Sequence, residues 1–225
     1  MIAGSPDARI VAPNGGEIIA DTPDRRLEIL CEHDAVHATW TRMGPGRDGA
    51  DLHVHRHHHD VFYVLEGTLT VRLRDAELAV PPGMLACVPP LVVHGFRNAS
   101  ADTELRYLNF HAPGMGFADY LRGRRDGVPV TYDQHDPPPD GGADPAAVIV
   151  DSRLDLPHLT VACEASTEIP RADNPARRVE CVYVLEGELM VSGSVLPVGT
   201  WITFLNRLSH DAGTVGRVVR LSAQI

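Results

Sequence analysis

The stretch VFYVLEGTLTV, residues 61–71, has a close copy in CVYVLEGELMV, residues 181–191. The two stretches share seven identities in eleven positions and lie 120 residues apart. A second pair, VPPGMLACVPPLVVH (80–94) and LPVGTWITFLNRLSH (196–210), aligns at an offset of 116, which a four-residue deletion explains. Because a repeat at a fixed spacing marks repeated structural units, the sequence predicts two units of about 80–100 residues each.

The segments around both copies have the character of β-strands. LAVPPGMLACV, LVVHGFRN and LRYLNFHA are short, rich in β-branched and aromatic residues, and separated by Gly, Pro and Asn. The sequence therefore predicts an all-β fold. One helix is predicted over GFADYLRGRRDG (116–127), where Phe117, Tyr120 and Leu121 recur at helical spacing between glycines.

The composition predicts where the two units divide. VPVTYDQHDPPPDGGADP, which follows the predicted helix, is dense in Pro, Gly and Asp, as linkers often are. We predict a first domain over 1–125, a linker over 126–147 and a second domain over 148–225.

The overall balance of residue types excludes some partners. The 225 residues carry a formal net charge of −10 and include no lysine. A nucleic-acid backbone would repel such a surface, and no apolar run approaches the roughly 20 residues of a membrane-spanning helix. The first residues lack a secretory signal pattern, and four widely spaced cysteines form no CxxC pair. We therefore expect a cytoplasmic protein with reduced thiols and with no nucleic-acid or membrane partner.

A group of histidines precedes only the first copy, in DLHVHRHHHD (51–60). His53 and His55 are two residues apart and share one face of an extended strand. Asp60 begins the next strand, and His94 lies in LVVHGF further along. Three imidazoles and a carboxylate suit a divalent transition metal. The alternatives are a lone core histidine at 94 and solvent-exposed turn histidines at 57–59.

The order and spacing of these residues resemble the two motifs of the cupins. The first motif has HxH, three or four residues, Glu, six residues and Gly, and its counterparts here are His53, His55, Asp60 and Gly67. Aspartate thus stands where the family has glutamate. The second motif is matched by Gly83, Pro89, His94 and Asn98, with Leu91 in place of an inner glycine.

This resemblance implies a fold and a set of ligands. It implies tandem cupin jelly-roll β-barrels (a bicupin), similar to the quercetin-dioxygenase-like cupins, with a short helix and a Pro/Gly-rich linker between them. The implied ligands of one divalent metal (Fe, Mn, Ni, Cu or Zn) are His53, His55, Asp60 and His94. A homodimer is also implied, although the second barrel of the same chain could cover the exposed edges instead.

The shorter side chain at position 60 leaves two arrangements open. Aspartate has about 1.5 Å less reach than glutamate. Either Asp60 binds the metal directly, or it lies just outside a three-histidine site. It could then serve as a catalytic general base.

The second copy lacks most of these candidates. The HxH positions align with Asp173 and Pro175, which leaves Glu180 and His210. Two candidate ligands are too few for an ordinary transition-metal site. The second unit is therefore predicted to be structural, with Glu180 and His210 hydrogen-bonded to each other.

Three function classes fit these features. Phe62, Val92 and Phe96 share predicted inward faces, either as a pocket for an aromatic or other small organic substrate or as ordinary core. The motif strands offer only outward arginines at 72 and 74, which disfavours phosphosugars. The resemblance to the quercetinase-like cupins therefore favours a metal-dependent dioxygenase. The alternatives are a metal-dependent isomerase or lyase acting on a sugar or keto acid and a non-catalytic small-molecule binder.

Overall fold

The computed structural model describes residues 8–165, 178–191, 193–205 and 215–225. These residues form antiparallel strands, one α-helix and a short 3-10 helix at Pro145–Ala147. The predicted all-β class is confirmed. The elements, in chain order, are β1 (Ala8–Val11), β2 (Glu17–Asp21), β3 (Arg25–His33), β4 (Val36–Met43), β5 (Asp48–His53), β6 (His59–Glu66), β7 (Leu69–Leu73), β8 (Glu77–Val80), β9 (Leu85–Val88), β10 (His94–Arg97), β11 (Leu105–Ala112), α1 (Phe117–Asp126), β12 (Ile149–Asp151), β13 (Arg153–Leu156), β14 (Leu159–Ala165), β15 (Arg178–Val191), β16 (Ser194–Pro197), β17 (Trp201–Phe204) and β18 (Val215–Gln224).

The chain divides into two compact units, of which the larger is Glu17–Ser152. It contains a four-stranded sheet, β5-β10-β7-β8, and a seven-stranded sheet, β12-β9-β6-β11-β4-β3-β2. Alternate side chains of the long sheet face the interior, as the strand period requires. The buried core combines this face with residues of the four-stranded sheet, and its members include Met43, Phe62, Leu105 and Tyr107 from the long sheet and Leu69 and Phe96 from the short one.

Three side chains on the inner face of β11 mark two opposite ends of the interior of this unit. Tyr107, Asn109 and His111 are two residues apart and point to the same side. His111 lies opposite Asp60 on β6, and Tyr107 lies opposite Thr41 on β4. Four residues of strand, about 13 Å, therefore separate the Asp60 end of the interior from the Tyr107 end.

The smaller unit comprises residues 1–16 and Arg153–Ile225. Its strands run β1-β17-β15-β18-β14-β13, with β16 paired to β15. Strand β1 thus belongs to the sheet of the C-terminal strands, whereas the predicted first domain began at residue 1. Its pairing with β17 satisfies backbone groups that an uncovered edge would leave open.

The sequence repeat has a local structural counterpart in both units. The amide of Gly83 donates to the carbonyl of Val64, and the amide of Gly199 donates to that of Val184, each at 2.9 Å. Gly83 and Gly199 have positive φ angles of 80° and 86°, which favour glycine. The aligned segments thus form the same turn twice.

The predicted helix is confirmed as α1, Phe117–Asp126. Gly116 and Gly127 flank it in the left-handed region, with φ of 74° and 70°, where glycine costs least. Within the described residues, no helix has the length and hydropathy needed to cross a membrane.

Asn98, the last residue of the second cupin-like motif, stabilises the larger unit. Its buried amide group donates to the carbonyls of Met43, Gly44 and Thr103 at 3.3, 3.0 and 2.8 Å. Its side-chain oxygen accepts from the amide of Ser100 at 3.2 Å. One side chain therefore satisfies buried acceptors from two loops, which explains its place in the motif.

We expect Asn98→Ala to lower the free energy of unfolding by about 2–4 kcal/mol, because it leaves buried carbonyls without donors. Urea denaturation followed by circular dichroism measures the change. Asp102→Ala, on the exposed part of the same turn, is the matched control and should change stability by less than about 0.5 kcal/mol. Equal effects of the two substitutions would contradict this role.

Candidate metal centre

Four predicted ligands converge inside the larger unit. His53 ends β5 and lies opposite His94 at the start of β10. His55 follows β5 by two residues, and Asp60 is the second residue of β6. All four side chains are buried, with residue exposures of 5% or less. The structure thus brings together the four residues that the motif resemblance indicated.

The separations between their donor atoms are those of ligands around a single ion. The Nε2 atoms of His53 and His55 are 3.1 Å apart. Oδ2 of Asp60 lies 3.3 Å from Nε2 of His94 and 3.8 Å from Nε2 of His55. Two ligands held at about 2.1 Å from a metal are roughly 3–3.5 Å apart when adjacent. The donor set, three imidazoles and one carboxylate, therefore fits a divalent transition metal in both chemistry and spacing.

Hydrogen bonds to the backbone fix the orientation of each imidazole. Nδ1 of His53 donates to the carbonyl of Asp51 at 2.7 Å, and Nδ1 of His94 donates to that of Val92 at 2.9 Å. Nδ1 of His55 donates to the carbonyl of Asp133. Because a carbonyl only accepts, the proton of each ring lies on Nδ1 and the Nε2 lone pair faces the centre. Lone pairs that meet at this distance would be stabilised by a cation between them, which is the arrangement of metal-binding histidines.

Asp60 divides its two oxygens between different partners. Oδ1 accepts a hydrogen bond from the amide of Asn109 and lies 3.3 Å from Nε2 of His111. Oδ2 faces the ligating nitrogens. Burial alone would raise the pKa of Asp60, but the charge of His111 and a hydrogen bond from His111 hold it well below its ordinary value. The carboxylate is therefore ionised and has one oxygen directed at the centre.

A second layer of buried polar groups continues from Asp60. His111 bonds through Nδ1 to the hydroxyl of Tyr132, which lies 3.0 Å from Nε2 of His58. Nδ1 of His58 in turn lies 3.2 Å from Oδ2 of Asp133. An unbroken hydrogen-bonded chain thus runs from the carboxylate at the centre to a second carboxylate.

The sequence reasoning placed several of these residues differently. His58 is fully buried, whereas the run 57–59 was interpreted as solvent-exposed; its contact with Asp133 draws it inward. Tyr132 and Asp133 lie in the predicted linker, 126–147, which the structure includes in the larger unit. His111 was overlooked, although its alternation with Tyr107 and Asn109 on one strand could have indicated an inward-facing side chain.

Asp133 also shapes the loop that carries the histidines. Its carboxylate accepts from the amides of Arg56 and His57 at 2.8–3.1 Å. Its carbonyl holds the ring of His55. The segment after α1 therefore holds the loop that carries His55. The composition of that segment does not indicate this contact.

A cavity of about 380 Å³ opens beside the centre. His53, His55 and Asp60 line one part of it, and apolar and aromatic side chains line much of the rest: Leu27, Phe96, Tyr107, Phe117, Tyr120 and Leu121. Of the three predicted pocket residues, Phe96 lines the cavity. Phe62 and Val92 are fully buried in the core, where Phe62 contacts the ring of Phe96 at a centroid distance of 5.0 Å.

Three arginines also line the cavity, at positions 25, 124 and 125. They come from β3 and α1, outside the two motifs, so the motif strands gave no indication of them. Arg125 pairs with Glu17 at 3.0 Å and with Asp126 at 2.8 Å. Among the described residues, Arg25 and Arg124 have no carboxylate partner. The cavity therefore combines an apolar wall with uncompensated positive charge.

The position equivalent to Asp60 in the smaller unit has different surroundings. Glu180 accepts from the hydroxyl of Ser222 at 2.6 Å and forms an ion pair with Arg220 at 3.0 Å. By the strand register, Ser222 and Arg220 stand where β11 has His111 and Asn109. The charge of this carboxylate is already compensated. The other candidates of this copy, Asp173, Pro175 and His210, lie outside the described residues.

Comparison with known proteins agrees with the motif resemblance. Residues 39–111 match the family model of the cupin domain. The matched segment contains all four convergent residues and lies within the larger unit. No curated protein matches the chain.

Solved structures share the fold at low sequence identity. A bacterial pirin from Escherichia coli, in complex with nickel(II), has a TM-score of 0.65 at 14% identity over 96% of this chain and 99% of that one. The putative glyoxylate induced protein of Pseudomonas aeruginosa gives 0.63 at 15%, over 99% and 90%. Streptomyces albus HEPD, with 2-hydroxyethylphosphonate and Fe(II) bound, gives 0.59 at 12%, over 97% and 76%.

We expect His55→Ala to reduce bound metal several-fold, because it removes one of four donors from the centre. Metal content after purification without an affinity tag, measured by plasma mass spectrometry, tests this. His57→Ala is the matched control, because this neighbouring histidine is exposed, and it should retain wild-type metal. Equal metal in both variants would show that the ion, if present, lies elsewhere.

The buried histidines also predict how stability depends on pH. Burial, together with the charge of nearby imidazoles, lowers the pKa of His53 to about 3 and that of His58 to about 2. Unfolded histidine titrates near 6.5, so the unfolded chain binds more protons in acid. Stability from these groups is present above pH of about 6.5 and is lost as the pH falls toward their folded pKa values.

We therefore expect the unfolding free energy of the metal-free protein to fall between pH 6.5 and 4, with a smaller slope in His58→Gln. Urea titrations at several pH values measure the slope, and His57→Gln should match the wild type. Identical slopes in all three proteins would refute the assignment of His58 as a buried neutral histidine.

Proposed function

We propose that this chain, whose residues 39–111 are a cupin domain, is a metal-dependent dioxygenase acting on a small organic substrate. The observation that carries the proposal is the convergence of three Nε2 lone pairs and one carboxylate oxygen at the wall of a partly apolar cavity. A redox-active divalent ion held there would supply dioxygen activation. Fold neighbours with nickel(II) and Fe(II) bound support a divalent ion of this kind.

We assign His53, His55, His94 and Asp60 as the residues that hold the ion. Oδ2 of Asp60 lies 3.3 Å from Nε2 of His94, which favours direct ligation over a position outside a three-histidine site. The same carboxylate is a weak base, because its pKa is held well below the ordinary value despite its burial. The proposed role of Asp60 is therefore that of a ligand, in place of a general base.

The cavity wall supports a substrate with an aromatic or other apolar part. Phe96 and Phe117 line the cavity, and Phe117 lies 3.9 Å from the ring of His111. Such walls exclude water and bind flat apolar groups. They would orient a substrate toward the centre while keeping bulk solvent from the reacting atoms.

The second unit is proposed to be a cupin-like barrel without a metal. Its Glu180 is bound to Arg220 and Ser222, so a cation would have to displace an existing ion pair. We therefore propose one metal per chain. Association into a homodimer remains our proposal from the family resemblance.

A metal-dependent isomerase or lyase acting on a keto acid is the second candidate. The arginine at position 25, which lines the cavity without a carboxylate partner, favours it. In that case the ion would act as a Lewis acid, and turnover would not require oxygen. The two candidate functions therefore differ in whether the reaction consumes oxygen.

The test is oxygen uptake by protein loaded with Fe(II), Mn(II), Ni(II), Cu(II) or Zn(II), using a panel of hydroxylated aromatic acids and keto acids. We expect uptake that depends on a redox-active metal, with both atoms of ¹⁸O₂ recovered in product, and we expect one metal per chain. His94→Ala should abolish both binding and uptake, whereas Arg220→Ala should leave the metal content unchanged. Turnover of a keto acid under anaerobic conditions would support the second candidate instead, and two metals per chain would contradict the assignment.

A further inference from the structure

We propose that the cavity recognises an organic acid, whose carboxylate binds Arg25 while its other end faces the metal centre. This inference rests on the proposed function, because it names the substrate class of the same site. It is carried by an arginine that lines the cavity and lacks an acidic partner, in a chain with more acidic than basic residues.

Arg25 combines a place in the cavity lining with the lack of an ionic partner among the described residues. Its neighbour Arg26 pairs with Asp21 and Glu28 at 2.9 and 2.7 Å, and Arg122 pairs with three carboxylates. Arg25 forms no ion pair among the described residues, and its Nε is buried without a hydrogen-bond partner there. A buried N–H that lacks a partner is costly. A ligand carboxylate would satisfy it and neutralise the charge, since guanidinium and carboxylate groups match in geometry.

The neighbours of Arg25 complete an anion-binding end of the cavity. Arg25 lies beside the hydroxyl of Tyr107, which also bonds to Thr41. Burial raises the pKa of Tyr107 to about 12, and the charge of Arg25 opposes the rise. Tyr107 is therefore a neutral phenol and does not itself neutralise the guanidinium.

The length of the cavity determines the distance between the carboxylate of the ligand and the metal centre. Tyr107 and His111 stand at the two ends of one strand face, about 13 Å apart. His111 contacts Asp60 at the centre, whereas Tyr107 contacts Arg25. Both residues line the same cavity. A ligand that reaches both ends therefore carries its carboxylate well away from the group that meets the metal.

Aromatic rings in the cavity wall select the body of this ligand. The ring of Phe96 lies 5.9 Å from that of Tyr107, and the ring of Phe117 lies 3.9 Å from that of His111, between centroids. Arg124, also in the lining, lies 5.9 Å from the ring of Tyr120 and adds positive charge that attracts anions. The ligand class is thus an arylalkanoic acid with an oxygen at the far end of its ring.

The probe is 3-(4-hydroxyphenyl)propanoate, compared with its neutral amide by calorimetry on metal-free and nickel-loaded protein. We expect the wild type to bind the acid roughly 10- to 100-fold more tightly than the amide. Arg25→Met should remove that preference, and Arg25→Lys should retain part of it. Arg47→Met, which removes an exposed arginine outside the cavity lining, should bind as the wild type does.

A wild type that binds the amide as well as the acid, or that shows no saturable binding of the acid at millimolar concentration, would overturn the proposal. A preference that persists in Arg25→Met would also overturn it. Thermal melting establishes that each variant is folded, and Arg25→Lys keeps the test valid if Arg25→Met does not fold. Preference for the acid together with no oxygen uptake by protein loaded with any of the redox-active metals would refute the dioxygenase proposal while leaving this one standing.

Discussion

Three imidazole lone pairs that face one carboxylate oxygen form the constraint on which the larger unit depends. The Nε2 atoms of His53 and His55 lie 3.1 Å apart, a distance that suits two ligands of one metal ion. Each ring is held by a bond from Nδ1 to a backbone carbonyl, so the backbone fixes the direction of the lone pairs. Preorganised donors of this kind bind a metal with little loss of side-chain entropy.

The same constraint explains why polar groups extend so far into the interior. A buried carboxylate needs partners on both oxygens. Oδ1 of Asp60 finds them in Asn109 and His111, and a bound metal ion would be the partner of Oδ2. His111 then requires its own partner, Tyr132, which requires His58. Each buried group in this series supplies a hydrogen-bond partner for the group before it. In the smaller unit the partners of Glu180 among the described residues are Arg220 and Ser222, so an arginine takes the place of the buried histidines.

The sequence predicted those parts of the site whose cause lies in local spacing. The HxH pair, Asp60 and His94 follow from strand alternation and a family motif, and α1 follows from its helical periodicity and flanking glycines. The contribution of Asp133 could not be predicted in this way, because it depends on a contact across 75 or more residues of chain. Its segment is rich in Pro and Gly, which predicts the absence of regular structure and says nothing about packing. The inward direction of Arg25 likewise depends on how β3 lies against β4.

The chain as a whole is negatively charged, whereas the cavity lining contains positive charge. The chain has an excess of ten negative charges, yet the described lining of the cavity contains two arginines without acidic partners and one ionised carboxylate, Asp60. That carboxylate is directed at the metal centre, so a bound divalent ion would leave the cavity positive throughout. An anionic ligand would then be attracted at both ends, by Arg25 and by the ion, while a neutral ligand of the same shape would leave the guanidinium uncompensated. The electrostatics of the site therefore favour an anionic ligand over a neutral ligand of the same shape.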